Sequence, residues 1–138
     1  MKTCLVGCGG IAAVHGSVLT SGIDTEFVAA ADIKLEKAQS YAENFHTKPY
    51  PSLESMLEAE KPDVLHICTP HYLHVPMAIY SLERNINVFM EKPPAISFDQ
   101  LEELKKAAAK SDAQLGFCYQ NRYNASIRAA KDLIDSGH

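Results

Sequence analysis

The chain has 138 residues, 46% of them hydrophobic and 22% charged, which is typical of one soluble globular domain with its own core. Its net charge of -4, without a basic stripe, disfavours nucleic acid and anionic membranes as partners, because both are bound mainly through lysine and arginine. No apolar run approaches the ~18 residues of a membrane span. The segment before Cys8 is too short for a signal region, so we expect a cytoplasmic protein.

The first 15 residues predict a strand, a glycine turn and the start of a helix. Gly7, Gly9 and Ala12 fit the G-x-G-x-x-G/A template, which combines a tight turn, room for a pyrophosphate and close helix–strand packing. Gly10 and Ile11 would open the helix, whose free N–H groups and positive dipole end suit an anion. Glycine turns are common, so this motif needs support from the rest of the chain.

The residues that follow alternate between apolar strands and amphipathic helices. The first half predicts a helix from Ile11 to about Ser21 capped by Gly22, a strand at 27–31, a helix at 35–45 with Leu35, Ala38, Ala42 and Phe45 on one face, a short strand at 48–50, and a helix capped by Ser52 that ends near Ala59. The second half predicts strands at 63–68, 86–90 and 113–119 and helices at 74–84, 98–110 and 126–136, with a Ser97–Gln100 capping box.

This rhythm of six strands predicts an α/β fold with a doubly wound parallel sheet, the Rossmann fold, in the order 3-2-1-4-5-6. His15 on the first helix and His66 within a strand are interpreted as structural residues. The cysteines show no C-x-x-C spacing, and three of them lie in apolar runs. Free core thiols in a reducing compartment are therefore expected at Cys4, Cys8, Cys68 and Cys118.

Asp32 stands at the predicted end of the second strand, 20 residues after Ala12. A carboxylate there, with Ile33 beside it, would accept hydrogen bonds from the adenosine ribose and repel a 2′-phosphate, which favours NAD over NADP. Lys34 nearby leaves NADP open. The alternative is that Asp32 is a solvated residue that caps the next helix.

A loop follows the fourth strand at the point where strand order reverses, which is where doubly wound sheets bind ligands. We therefore expect Thr69, Pro70, His71 and His74 to face the cofactor. Packing at the start of the next helix is an alternative role for the two histidines, and they could also be a metal pair. Because no third carboxylate or cysteine has ligand spacing, we expect no metal site.

Glu91, Lys92 and Pro93 follow the fifth strand. A lysine beside a carboxylate in a proline turn would lie where a substrate meets the nicotinamide, and its cation could stabilise a developing alkoxide. The alternative is a surface ion pair worth about 0–1 kcal/mol. The residues alone leave both interpretations open.

These motifs together resemble the glucose–fructose oxidoreductase / inositol dehydrogenase / rhizopine catabolism (Gfo/Idh/MocA) family. The resemblance covers nearly the whole chain and rests on the glycine motif followed by His15, on Thr69-Pro70 with His74, on Glu91-Lys92-Pro93 and on Asn121-Arg122. It departs from the family pattern at His71, Asn85 and Pro94. The nicotinamide contacts of His71 are the detail most affected by these departures.

The resemblance implies roles for individual residues. The pyrophosphate would lie on the glycine motif with Gly10 and Ile11, the ribose on Asp32 and Ile33, and the nicotinamide near the Thr69–His74 loop and Glu91. Lys92 would be the catalytic lysine, and Asn121 and Arg122 would lead towards the substrate. The implied activity is hydride transfer between NAD, or NADP, and a sugar, inositol or related polyol.

Members of this family resemble two-domain proteins whose second α/β domain supplies an Asp and a His for substrate binding and proton transfer. No D-x-x-x-H segment of that context occurs here. We therefore expect residues 1–120 to be the dinucleotide-binding domain and residues 121–138 the connection to a second domain that is absent from this chain. Such a chain would bind cofactor without turnover, and its parent would be a homo-oligomer. A dinucleotide-sensing regulator and a non-catalytic binding module are the alternatives.

Overall fold

Six parallel strands form one sheet in the order β3-β2-β1-β4-β5-β6, which confirms the predicted fold class. The computed structural model describes residues 1–21 and 24–137. The strands are β1 (Lys2–Val6), β2 (Glu26–Ala31), β3 (Lys48–Tyr50), β4 (Val64–Ile67), β5 (Asn87–Glu91) and β6 (Leu115–Cys118). The helices are α1 (Gly10–Leu19), α2 (Leu35–Phe45), α3 (Leu53–Glu60), α4 (His74–Leu82), α5 (Phe98–Lys110) and α6 (Ala125–Asp135).

The register of the strands brings their carboxyl ends together at one edge of the sheet. Val6 is paired with both Ala31 and Ile67, so β1 ends level with β2 and β4. Glu91 is paired with Cys118 at the ends of β5 and β6. Every predicted functional loop therefore leaves the sheet at this edge, as expected for ligand binding in a doubly wound fold.

The two faces of the sheet carry separate apolar cores. The larger core joins alternate strand residues such as Leu65 and Met90 to the buried faces of α3, α4 and α5. The smaller core contains Leu5, Ala30 and Tyr41 under α1 and α2. Two separate cores form because successive side chains along a strand point to opposite faces of the sheet.

A buried carboxylate ties α3 to the first and third strands. Glu60 accepts hydrogen bonds from the Tyr50 hydroxyl at 2.6 Å and Lys48 Nζ at 2.9 Å, and it forms an ion pair with Lys2 Nζ at 3.0 Å. The bond from Tyr50, followed by that from Lys48, lowers the pKa of Glu60 to about 2. The carboxylate is thus kept ionised at a site of low exposure.

The predicted apolar face of α2 is wrong at one position. Leu35 is 41% exposed, whereas Tyr41 is buried. The hydroxyl of Tyr41 donates to Ala12 O at 2.7 Å, so an aromatic ring with a satisfied polar tip is buried at a position that the predicted apolar face did not include. Ala38 and Ala42 are buried as predicted.

Several element boundaries differ from the prediction by one or two residues. The helix α1 ends at Leu19 with Thr20 as its cap, and Gly22, the predicted cap, lies outside the described residues. His71–Leu73 forms a 3₁₀ turn before α4 rather than a simple loop. The bounds predicted for α2 and β3 are confirmed.

Other sequence predictions concern the thiols and the membrane. Cys4 and Cys68 are buried, Cys8 and Cys118 are partly buried, and all four are free thiols. Within residues 1–21 and 24–137, no helix has both the length and the apolar character required to cross a bilayer.

The last helix lies apart from the sheet. Asn124 caps α6 by accepting from Ser126 N at 2.9 Å, and the helix contacts the preceding 3₁₀ turn, Gln120–Tyr123. Its apolar residues Ile127, Leu133 and Ile134 are exposed.

Candidate cofactor and substrate site

Gly7 forms the turn between β1 and α1, and only glycine fits there. Its φ is +92°, a left-handed conformation that L side chains rarely adopt. A Cβ atom would lie 2.7 Å from both Cys68 C and Thr69 N, which are backbone atoms. Gly7 N also donates to Ala31 O at 2.8 Å. The turn therefore needs glycine for conformation and for space.

The next two glycines leave an open surface at the start of α1. A Cβ atom on Gly9 or Gly10 would meet no atom within 4 Å. Gly9 is the N-cap residue, its position has no side-chain cap, and the first turn of α1 has no acidic residue. Exposed Ile11 follows, and the buried Ala12 brings the helix against the sheet. The arrangement suits an anion, because the amides at the start of a helix lack the usual intrahelical acceptors; here Ala12 N donates to Gly9 O at 3.1 Å, which leaves the amides of Gly10 and Ile11 to face a ligand.

Asp32 lies directly beside the glycine turn. Its Oδ2 accepts from Cys8 N at 2.9 Å, and its Oδ1 accepts from Lys34 N at 2.9 Å. A carboxylate offers about four acceptor positions, so two remain for an external donor such as a ribose diol. Asp32 is not the N-cap of α2, which is Lys34, although it does bind the amide of that residue. Ile33 is 93% exposed next to it.

His74 joins the loop after β4 to the turn after β5. Its ring is buried, with Nδ1 at 2.9 Å from Pro93 O and Nε2 at 3.0 Å from Thr69 O. Both ring nitrogens therefore face backbone carbonyls. The ring of His71 packs edge-on to it at 5.5 Å, and Pro70 and His71 are exposed.

Thr69 carries a polar atom that lacks a protein partner. Its Oγ1 is buried and has no hydrogen bond among the residues described. Buried hydroxyls without partners are uncommon, so an unmet donor or acceptor in this loop is a feature that a bound molecule could satisfy.

Glu91 and Lys92 do not pair with each other. The buried Glu91 carboxylate lies 3.0 Å from His15 Nε2 through Oε1, and it accepts from the main-chain Lys92 N at 3.2 Å through Oε2. Lys92 itself is exposed, and no ion pair found within the described ranges includes its ammonium group. The sequence left open a surface ion pair between Glu91 and Lys92. In the structure, the Glu91 carboxylate is buried and contacts His15.

Lys92 instead lines a cavity of about 420 Å³ together with Tyr119, Gln120, Asn121 and Arg122. The predicted substrate residues are therefore brought together at one place, next to the carboxyl end of β5. A slightly larger groove of about 490 Å³ lies between α4 and α5, and it contains none of the predicted site residues.

The sequence analysis missed a buried polar cluster beneath this site. His15 Nδ1 lies 2.9 Å from His66 Nδ1. One nitrogen, oxygen or sulfur atom from each of His15, Glu91 and Cys118, of the kind that can ligate a metal, lies within 4.8 Å of the other two. A signal was present: His66 alternates with two buried apolar residues, and therefore points to the face of the sheet on which α1 lies. The contact between His15 and Glu91 could not be predicted from local spacing, because 76 residues separate the two in sequence.

The pKa values of the cluster follow from burial and hydrogen bonding. Burial, followed by the nearby His15, lowers the pKa of His66 to about 4, which leaves this ring neutral at pH 7. Burial alone would raise the pKa of Glu91, but hydrogen bonds from His15, Cys118 and the Lys92 amide outweigh it and lower that pKa. Glu91 is thus an ionised acceptor for these donors.

Known proteins share both the sequence pattern and the fold. A model of an oxidoreductase family with an NAD-binding Rossmann fold, GFO_IDH_MocA, matches residues 1–119. Among curated relatives, the D-glucoside 3-dehydrogenase of Escherichia coli is 30% identical over 99% of this chain and 40% of its own length. The inositol 2-dehydrogenase/D-chiro-inositol 3-dehydrogenase of Lacticaseibacillus casei is 28% identical over 99% of this chain and 41% of its own length.

Two solved structures illustrate the similarity of fold. The WlbA dehydrogenase from Bordetella pertussis, in complex with NADH and UDP-GlcNAcA, has a TM-score of 0.93 and 31% identity over 99% of this chain and 42% of its own. The myo-inositol dehydrogenase from Lactobacillus casei, in complex with NAD(H) and myo-inositol, has a TM-score of 0.89 and 27% identity over 99% of this chain and 42% of its own.

The chain thus spans about 40% of the length of the relatives that it matches. The family match covers the glycine turn, Asp32, the loop after β4 and the Glu91–Lys92 turn, which are the features that the structure collects at one edge of the sheet. On the strength of the match to residues 1–119, the chain belongs to the GFO_IDH_MocA oxidoreductase family and forms its NAD-binding Rossmann domain.

Proposed function

We propose that this chain holds the cofactor of a dehydrogenase that acts on a CH–OH group of a sugar, inositol or related polyol. The observation that carries the proposal is the meeting of four elements at the carboxyl edge of the sheet: the open start of α1, the Asp32 carboxylate, the Thr69–His74 loop and the cavity at Lys92. Relatives described as glucoside and inositol dehydrogenases support the substrate class.

The residues present fit a dinucleotide along this edge. The space above Gly9 and Gly10 would take the pyrophosphate against the first-turn N–H groups of α1, beside Ile11 and Ala12. Asp32 would accept from the ribose hydroxyls next to Ile33. Its negative charge would repel a 2′-phosphate, so NAD is the proposed cofactor and NADP the weaker one.

At the other end, the loop after β4 would border the nicotinamide. Thr69 offers its unpartnered hydroxyl, and Pro70 and His71 form the exposed rim. The side chain of His74 holds Thr69 O and Pro93 O, and its proposed contribution is to keep the two loops in place. Glu91 acts in the same way, through its bond to the Lys92 amide.

The cofactor, when bound, supplies the hydride acceptor or donor. Lys92 would place its ammonium group on the reacting oxygen of the substrate, where a cation stabilises developing alkoxide character. Asn121 and Arg122 would donate hydrogen bonds to other substrate oxygens, since both line the same cavity as Lys92.

We extend the proposal to the organisation of the protein. Residues 1–120 form the cofactor domain, and residues 121–138 begin the connection to further sequence that supplies the proton-transfer residue. The complete protein is proposed to be a cytoplasmic homo-oligomer. We propose no nucleic-acid partner, because the net charge of this chain is acidic.

Cofactor binding is tested by calorimetric titration of the chain with NADH and NADPH. Gly9→Val should abolish binding and leave folding intact, because Gly9 has φ of -87° and ψ of -169° and its Cβ would point into open space. Ser17→Val adds similar bulk on the exposed side of α1 and serves as the control. The cofactor proposal fails if the unmodified chain binds neither nucleotide, and the Asp32 assignment fails if it prefers NADPH.

The catalytic part is tested in the full-length gene product with a panel of sugars and inositols. Lys92→Met should reduce kcat by about 10²-fold or more and leave NADH affinity nearly unchanged. Full activity of this variant would contradict the role of Lys92. A full-length protein that binds NADH but oxidises no polyol would instead favour a dinucleotide-sensing regulator.

A further inference from the structure

A continuous hydrogen-bonded chain runs beneath the proposed site from β4 through α1 to β5. His66 Nδ1 lies 2.9 Å from His15 Nδ1, and His15 Nε2 lies 3.0 Å from Glu91 Oε1. Glu91 Oε2 in turn accepts from the main-chain Lys92 N at 3.2 Å. His15 and Glu91 are both buried. Since 76 residues separate these two in sequence, the contact depends entirely on tertiary structure.

The chemistry of the groups determines where the protons lie. An ionised carboxylate only accepts, so His15 Nε2 carries a proton and donates it to Glu91. The contact between two Nδ1 atoms requires one donor and one acceptor. When His15 is neutral, its Nδ1 has no proton, and the Nδ1 proton of His66 fills the contact. With both rings neutral, the direction of donation is therefore His66 to His15 to Glu91.

This chain connects the two halves of the proposed cofactor site. His15 lies on α1, whose first turn begins at the pyrophosphate surface. Glu91 ends β5 and holds the amide that precedes the turn of Lys92. The rings of His15 and His66 also pack around Phe89, at 6.0 and 5.1 Å between centroids, which limits their rotation. A change at His15 would thus be transmitted to the Lys92 backbone.

We propose that His15 is a positioning residue: held by His66, it fixes the Glu91 carboxylate and through it the main chain at Lys92, so that the lysine is aligned with a cofactor seated on α1. The functional half of this inference rests on the proposed function, because it assumes a nicotinamide near Lys92. The structural half, the direction of the hydrogen bonds, rests on the contacts together with a neutral His15 ring, which is the state that the first test reads.

The first test reads the tautomers directly. Long-range proton–nitrogen correlation spectra of the ¹⁵N-histidine-labelled chain at pH 8 should show His66 with its proton on Nδ1 and His15 with its proton on Nε2. The opposite tautomer at His15 would overturn the proposal. So would tight binding of Zn²⁺ that is lost in both His15→Leu and Cys118→Ser, because the cluster would then be a metal site.

The second test separates positioning from folding by comparing NADH with ADP-ribose, which lacks the nicotinamide. His15→Leu should weaken NADH about tenfold, the scale of a lost hydrogen bond to a charged group, and should leave ADP-ribose within about twofold. His15→Gln should restore NADH affinity, because an amide presents an acceptor and a donor at a spacing close to that of the two ring nitrogens. Val14→Ala, on the exposed side of α1, is the matched control.

Equal loss of both ligands in His15→Leu would mean that the residue only supports folding, and would overturn the proposal. A third measurement does not need a ligand. The Lys92 amide should exchange with solvent about tenfold faster in His15→Leu than in the unmodified chain, and His15→Gln should restore its protection. If the unmodified chain binds neither ligand, the proposed function has failed, and the tautomer and exchange results still decide whether His15 positions the Lys92 backbone.

Discussion

The carboxylate of Asp32 accepts a hydrogen bond from the amide of Cys8 at 2.9 Å and thereby joins the end of β2 to the glycine turn after β1. The two residues belong to the two parts of the motif that were predicted separately, the phosphate turn and the ribose carboxylate. Their contact means that the side chain expected to bind the ribose is already oriented by the turn expected to bind the pyrophosphate. Little reorganisation would then be needed when a dinucleotide binds, which favours affinity.

We expect Asp32→Asn to weaken NADH binding by about tenfold or more and to raise the ratio of NADPH to NADH affinity. The variant removes the charge that favours ribose hydroxyls and repels a 2′-phosphate, and hydrogen bonds to charged groups are worth about 1.5–3 kcal/mol. Calorimetric titration with both nucleotides measures the change. Glu36→Gln, an equal change of charge in the first turn of α2, should leave both affinities unchanged. An unaltered preference in Asp32→Asn would contradict the ribose assignment.

We expect Gly7→Ala to lower the free energy of unfolding by more than about 2 kcal/mol. A left-handed conformation alone costs an L residue roughly 1–2 kcal/mol, and the added methyl group would also overlap Cys68 C and Thr69 N at 2.7 Å. Denaturant unfolding measures the loss. Gly10→Ala is the control, because a Cβ atom there meets no atom within 4 Å and alanine favours a helix. Equal stability of the two variants would show that the turn at Gly7 can relax.

The Glu60 cluster should give the chain a stability that depends on pH. Its folded pKa of about 2 lies below the usual value of 4.5, so the unfolded chain binds the proton more readily. The contribution of Glu60 is therefore present above about pH 4.5 and is lost as the pH falls through about 2. Removing it with Glu60→Gln should cost about 2 kcal/mol at pH 7 and much less at pH 2.5.

Urea unfolding at pH 7 and at several pH values below 4.5 measures this difference. Glu58→Gln, an exposed position on the same helix, is the control and should follow the unmodified chain throughout. A constant difference between Glu60→Gln and the unmodified chain across this range would mean that Glu60 is not held ionised by Tyr50 and its lysine partners.

The buried thiols should react slowly with alkylating reagents in the folded chain. Burial raises the pKa of both Cys4 and Cys8 to about 12, and the Asp32 carboxylate adds to the effect at Cys8. The thiolate is the reactive form, so little of it exists at pH 8. Mass spectrometry of iodoacetamide-treated chain should show rapid labelling of all four cysteines only after denaturation. Rapid labelling of Cys8 in the folded chain would contradict the raised pKa of this partly buried thiol.

Local pattern was sufficient for the elements and for the glycine motif. The alternation of apolar runs with helical periodicity predicted six strands and their order, and α2 and β3 have the predicted bounds. The spacing of Gly7, Gly9 and Ala12 predicted a turn that the structure confirms through the positive φ at Gly7 and the burial of Ala12. These features depend on residues that are near in sequence, so they can be read without knowing the fold.

Side-chain partners could not be predicted in the same way. On α2, Tyr41 is buried and Leu35 is exposed, because the hydroxyl of Tyr41 donates to Ala12 O on another helix. His74 was expected to face the cofactor, and the sequence did not reveal that its ring lies between Thr69 O and Pro93 O. In each case the deciding contact joins different elements, and the sequence pattern of one element carries no information about it.

The amino-acid sequence by itself therefore determined the order of strands and helices, the position of the phosphate turn and the likeness to one oxidoreductase family, because these depend on periodicity and on motifs of fixed spacing. Only the tertiary structure decided that Glu91 pairs with His15 and not with Lys92. A carboxylate at the end of a buried strand can point to either face of the sheet, and it takes the partner that packing brings within hydrogen-bond distance, here 76 residues away.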